Sequence, residues 1–204
     1  MPVPTGYKVH MGVSLFLAGP AATAVVLTLL PGRPVVPEAA AFTLFGLMFP
    51  LFWGAVLRCH RVGLPTRGPD FLLALWLTPR WLRAAAGALV AVVVLCVAIG
   101  GAPAAGQPER TAEGYYLTHR GGREPVSRAV YESALKSGVR WFDAGATFFL
   151  AVSAVTVAAA HRAEEETLAG RRGGSGRRVR PPEGGENETQ DHERAAPSGP
   201  PSRL

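Results

Sequence analysis

Four long apolar blocks, none containing a charge, decide what this chain can fold into. A helix crossing a ~30 Å hydrocarbon core needs about 20 apolar residues at ~1.5 Å of rise each. Residues 11–30, 39–57, 84–102 and 144–160 meet that requirement without Asp, Glu, Lys or Arg. Backbone groups in lipid find no water to bond, so such blocks are predicted to be helices. The expected fold class is an all-α membrane protein. It is a four-transmembrane-helix bundle with a short extracytoplasmic hairpin-plus-helix segment over part of the outer loop 103–143. Residues 1–10 form a cytoplasmic N-terminus and 163–204 a cytoplasmic tail, disordered from about 170.

Composition agrees with that division. Charged residues make up 18% of the chain, against about 25% in soluble proteins, and they fill the gaps between the blocks and the C-terminal end. Lys8 and Lys136 are the only lysines, and arginine, glycine and proline are abundant, which points to a GC-rich bacterial genome. The net charge of +6 does not imply nucleic acid. The arginines flank apolar blocks, where membrane insertion explains them, and form no aromatic-interleaved stripe. The first block is read as a retained span rather than a signal peptide, because only Lys8 precedes it and its core exceeds the usual ~7–15 residues.

Details within the blocks carry further expectations. Pro20 and Pro50 each remove an i→i−4 hydrogen bond and should kink their helices. The stretch Phe71–Leu77 is too short to span. With Pro79, Arg80, Trp81 and Arg83 following at once, it reads as an interfacial segment. Thr78 is the expected N-cap of the third span, with Pro79 at its first position. Arg58, Arg61, Arg67, Arg80 and Arg83 crowd the loop between spans two and three, and Arg162 and the tail arginines follow span four. The positive-inside rule therefore puts that loop and both termini in the cytoplasm, although Arg110, Arg120, Arg123, Arg128, Lys136 and Arg140 in the longer outer loop pull the other way.

Chemistry-bearing sets are sparse. Cys59-His60 and His161 fall short of the three or four ligands a zinc or copper site needs, and Cys96 behaves as a small hydrophobe. No catalytic, cofactor or metal site is expected. With no charge inside any span, proton-coupled transport lacks its usual mark. Ser14, Thr23, Thr28, Thr43, Thr147, Ser153 and Thr156 are expected to bond to their own or a neighbouring helix. Arg171, Arg172, Arg177, Arg178 and Arg180 suit anionic lipid or serve as a topology signal.

The outer loop is the most patterned segment outside the blocks. Tyr115–Thr118 has strand character, Gly121-Gly122 offers a turn, and Glu124–Val126 can return. Ser127 can cap a helix starting at Arg128, on which Val130, Ala134, Gly138 and Trp141-Phe142 recur at helical spacing. Tyr115, Tyr116, His119, Tyr131 and Trp141 form the candidate interaction surface. The run Tyr116-Leu117-Thr118-His119-Arg120-Gly121, with Pro125-Val126-Ser127, Tyr131 and Phe142, resembles a pattern in small membrane proteins of actinobacteria and other bacteria that carry no assigned activity. It covers about 30 residues and departs from the pattern at Arg120, where glycine often follows the histidine. The expected role is a small scaffold or interaction protein of the bacterial cytoplasmic membrane, bound to the lipid bilayer. The alternative is a small-molecule or ion transporter acting as a homo-oligomer.

The spans also set a redox check. Cys96 lies about twelve residues, or ~18 Å, up its helix from the level of Cys59, beyond the ~7 Å that a bridge allows between Cα atoms. Non-reducing mass analysis should find two free thiols. An intramolecular Cys59–Cys96 bond would mean that the span limits are misplaced.

Overall fold

The computed structural model describes residues 4–32, 35–102 and 106–174. Five helices and three strands follow in the order α1 (Thr5–Leu27), α2 (Glu38–Arg61), α3 (Pro69–Trp76), α4 (Arg80–Gly100), β1 (Gln107–Thr111), β2 (Gly114–His119), β3 (Gly122–Pro125) and α5 (Arg128–Gly174). Among the described residues, α1, α2, α4 and α5 are long and apolar enough to cross a membrane.

Proline marks where these helices start. Pro4, Pro37 and Pro79 stand immediately before α1, α2 and α4, where a fixed φ and a missing N–H cost nothing. Gly101, at φ +79°, ends α4 in a conformation that side chains resist. Both α1 and α2 continue through their internal prolines, Pro20 and Pro50.

Two local expectations change. Thr78 does not cap the third long helix: Pro79 takes that position, and the Thr78 hydroxyl donates to the Leu75 carbonyl at 2.7 Å. The free carbonyls ending α3 lie within one turn of Thr78, so its hydroxyl is spent backwards. The interfacial stretch is itself helical, as α3, but at eight residues it is only about 12 Å long.

The fourth apolar block is the middle of a much longer rod. Helix α5 runs 47 residues, about 70 Å, and reaches past the bundle at both ends. Its start is capped as the sequence suggests, the Val130 amide donating to Ser127 Oγ at 3.3 Å. The buried stripe differs from the expected one. Ala134, Ser137, Val139, Arg140, Asp143 and Ala144 turn inward, whereas Val130 and Trp141 are 46% and 43% exposed. The expected tail disorder and the tail arginines Arg171, Arg172, Arg177, Arg178 and Arg180 lie outside the described residues, except that the helical backbone continues to Gly174.

Helix α5 is the axis of the bundle. Of its apolar window 67% is buried, against 33%, 17% and 22% for α1, α2 and α4. It runs antiparallel to α1, with Tyr7 against His161 and Thr28 against Arg140. It is parallel to α2, with Phe42 against Phe142 and Phe52 against Phe149. It is antiparallel to α4, whose Leu82 and Ala86 pack on Ala151, Ala154 and Val155. The α2–α3 turn, the start of α1 and the end of α5 therefore share one end of the bundle, and the sheet occupies the other. Outward faces carry Phe16, Phe49, Trp53, Val94, Leu95 and Ile99, all more than half exposed.

The hairpin is a three-stranded antiparallel sheet in the order β1-β2-β3. β1 reads Gln-Pro-Glu-Arg-Thr, with no apolar alternation. It is a strand because β2 supplies a pairing edge, with Glu109 opposite Tyr116 and Thr111 opposite Gly114, and an edge strand tolerates its proline. The β2–β3 loop is Arg120-Gly121, since Gly122 already pairs with His119.

Packing on α5 sets the stability ledger. Leu150 is fully buried against Ala18 and Met48, so Leu150→Ala should cost about 2–5 kcal/mol. The outward Leu95→Ala should leave thermal unfolding in detergent nearly unchanged. Equal effects would contradict the axial placement of α5.

Candidate functional site

The inner face of α5 is not uniformly apolar. Ser137, Arg140, Asp143, Thr147, Ser153, Thr156 and His161 are buried along it. From Arg140 to His161 the seam runs about 32 Å along the helix. Hydrophobicity averaging hides it, because Asp143, Thr147, Ser153 and Thr156 are each flanked by alanine, valine or phenylalanine.

At the mid-level Ser14, Ser153 and His10 are hydrogen-bonded, whereas the Thr156 hydroxyl one turn on has no partner. His10 Nε2 lies 2.9 Å from the Leu51 carbonyl, Ser153 Oγ donates to the same oxygen at 3.2 Å, and Ser14 Oγ meets Ser153 Oγ at 3.3 Å. Gly54 makes the space: a Cβ there would lie 2.9 Å from His10 Cε1. Groups on α1, α2 and α5 are thus pinned together inside the bundle, a use of polar residues that apolar surroundings favour.

At the end bearing the α2–α3 turn, the contacts lock loops to helices. Arg58 lies 4.7 Å from the Tyr7 ring and donates to the Gly6 carbonyl at 3.2 Å. Arg162 donates to the Leu77 carbonyl and to Glu166 at 3.0 Å. Cys59 packs inward against the Thr156 carbonyl, whereas His60 turns outward, so the adjacent pair does not converge. Among the described residues no three His, Cys, Asp or Glu side chains gather as a metal would need.

The sheet end is where the seam becomes charged. Arg140, 6% exposed, donates through Nε to Thr28 Oγ1 at 3.0 Å and through Nη1 to the Gly100 carbonyl. It thereby ties the last turns of α1 and α4 to α5. Lys136 reinforces the tie by donating to the Leu30 carbonyl at 2.6 Å. Glycine is required at position 100, because an added Cβ would collide with the Arg140 guanidinium.

One turn deeper lies Asp143, with 0% exposure and neither carboxyl oxygen hydrogen-bonded. The charge-free block 144–160 therefore does not mark the limit of the buried bundle. Asp143 sits one residue outside the block 144–160, but α1, α2 and α4 close around α5 well before that limit. A window drawn on composition ends at the first charge and so places it at the rim.

The candidate interaction residues are dispersed. Tyr115 and Tyr131 meet, ring centroids 4.9 Å apart, and the Val126 amide donates to the Tyr115 carbonyl at 2.9 Å, which fixes the sheet to the start of α5. Tyr116 points to the opposite face, as alternation demands, beside Arg123. There Glu109 accepts from Thr118 and Arg123. His119 sits at the strand end, 3.7 Å from Glu124. Trp141 is ten residues, about 15 Å, along α5 from Tyr131. Arg140 and Asp143, the residues with the most unusual surroundings, belonged to no candidate set. Their sequence signal was a basic and an acidic residue three apart on the face that continues into the alanine-rich stripe.

Comparison with protein-family models, curated proteins and solved structures finds no match for this chain.

The Arg140 tie makes a direct prediction. Hydrogen bonds to charged groups contribute about 1.5–3 kcal/mol each, so Arg140→Ala should lower the thermal midpoint in detergent clearly. Arg128→Ala, which removes an i,i+4 pair with Glu132 at the start of α5, should lower it much less. The reverse ranking would show that Arg140 does not hold the helix ends.

Proposed function

We propose that this chain is a four-span protein of a bacterial cytoplasmic membrane that acts as a small scaffold, with both termini in the cytoplasm and the sheet outside. The observation that carries the reading is the distribution of apolar surface. Three membrane-length helices turn phenylalanine, valine, leucine and tryptophan outward around one buried axis, which water does not favour and lipid does. The arginine-rich α2–α3 turn supports the orientation. Arg83 stacked 4.6 Å from the Trp76 ring, beside the exposed Leu72, Leu73 and Trp81, suits the headgroup level. The resemblance to small actinobacterial membrane proteins supports the same compartment.

The scaffold role rests on the sheet. It is fastened to α5 through Tyr115 and Tyr131, and it turns a preformed face of Glu109, Tyr116, Thr118 and Arg123 away from the helix. A rigid platform continuous with the bundle axis is suited to holding a partner outside the membrane. The second reading, passage of a small ion through an oligomer, is favoured by one observation, the unpartnered Asp143.

Reporter fusions test the placement. Fusions after Gly68 and Ala195 should report cytoplasm and one after Gly106 the outside, and swapped signals would invert it. In proteoliposomes the scaffold reading expects no cation flux above empty vesicles. Protein-dependent flux would give the second reading precedence.

A further inference from the structure

We propose that the Asp143 carboxyl is a binding site for a monovalent cation, a proton or an alkali ion, inside the helix bundle. The inference goes beyond the scaffold reading and needs no flux. A carboxylate taken out of water with no partner costs many kcal/mol, and this one has none: both oxygens are buried and unbonded. The nearest cation in sequence, Arg140, is committed to Thr28 Oγ1 and the Gly100 carbonyl and forms no ion pair with it. From the packed elements, α1 brings no charge to this level, α2 brings Glu38 at its first turn, and α4 brings the Cys96 thiol, packed on Ala144. None of these neutralises a carboxylate, which leaves the charge to be met by a bound cation.

The surroundings suit a small cation rather than an organic one. Asp143 is flanked on its own helix by Val139, Ala146 and Thr147, all buried. The Thr147 hydroxyl donates to the Asp143 backbone carbonyl at 2.8 Å, which leaves its oxygen lone pairs free to accept. A cleft of about 400 Å³ at the sheet end is lined by Glu38, Phe42, Gln107, Gly138 and Phe142. A second, small pocket beside it is lined by Val139, one helical turn from Asp143. Glu38 gives the mouth of that cleft the charge that draws a cation in.

The chain has three aspartates, Asp70, Asp143 and Asp191, which makes infrared spectroscopy decisive. The full chain is labelled with ¹³C-aspartate, placed in phospholipid nanodiscs and measured near neutral pH in choline, sodium and potassium chloride. A carboxylic-acid stretch indifferent to the salt identifies a proton at the site. A carboxylate stretch that moves when choline is exchanged for sodium or potassium identifies an alkali ion. Either feature should vanish in Asp143→Asn. It should persist in the Asp70→Asn/Asp191→Asn variant, which decides the matter even where Asp143→Asn does not fold. Three ionised carboxylates, all indifferent to the salt, would overturn the proposal.

Discussion

Everything in this molecule depends on how closely three helices can approach the fourth. Helix α5 presents Ala144, Ala146, Ala151, Ala154, Ala159 and Ala160 to its neighbours, all buried, and small side chains let backbones come near enough for dispersion and polar contacts to hold them. α1, α2 and α4 pack on α5 in turn, which is why two-thirds of its window is buried while theirs remains mostly outward. Their outward faces are left to large apolar residues such as Phe16, Trp53 and Ile99.

That approach also fixes where polar groups can sit. At the mid-level, His10 and Ser153 share the Leu51 carbonyl and Ser14 bonds to Ser153, so polar atoms from three helices add specificity to a surface that alanine alone would leave free to slide. At the sheet end, Arg140 does the same for the last turns of α1 and α4. Asp143, one turn further in, breaks the pattern: it is as closely packed as its neighbours, but no protein donor reaches its carboxyl. The contrast between a fully engaged arginine and an unengaged aspartate on successive turns makes this end of the bundle the place to look for chemistry.

The long helices were legible in the sequence because an uncharged run of that length has few other fates, and Ser127 was legible as a cap because helix starts leave amides unbonded. Strand β1 was not, since its residues carry no strand pattern and become a strand only through pairing with β2. Thr78 was misread for want of knowing that α3 ends just before it. Arg140 and Asp143 were hidden for a different reason: burial is a property of what surrounds a residue, and a hydropathy window stops where the charges begin. Of the five aromatic and histidine positions in the patterned outer loop, Tyr115 and Tyr131 meet, whereas strand alternation and helix length set Tyr116 and Trp141 apart from them.

The account stands on α5 being one continuous helix, docked from the sheet into the bundle. Backbone hydrogen exchange in nanodiscs measures this directly. Protection should run without a break from Val130 through Phe142 into the alanine-rich segment, with the amides of the Arg140 turn among the slowest. Fast exchange from Arg128 to Phe142, with protection beginning only near Ala144, would mean that the sheet and the Arg140 tie are not part of the folded core, and the account would fail.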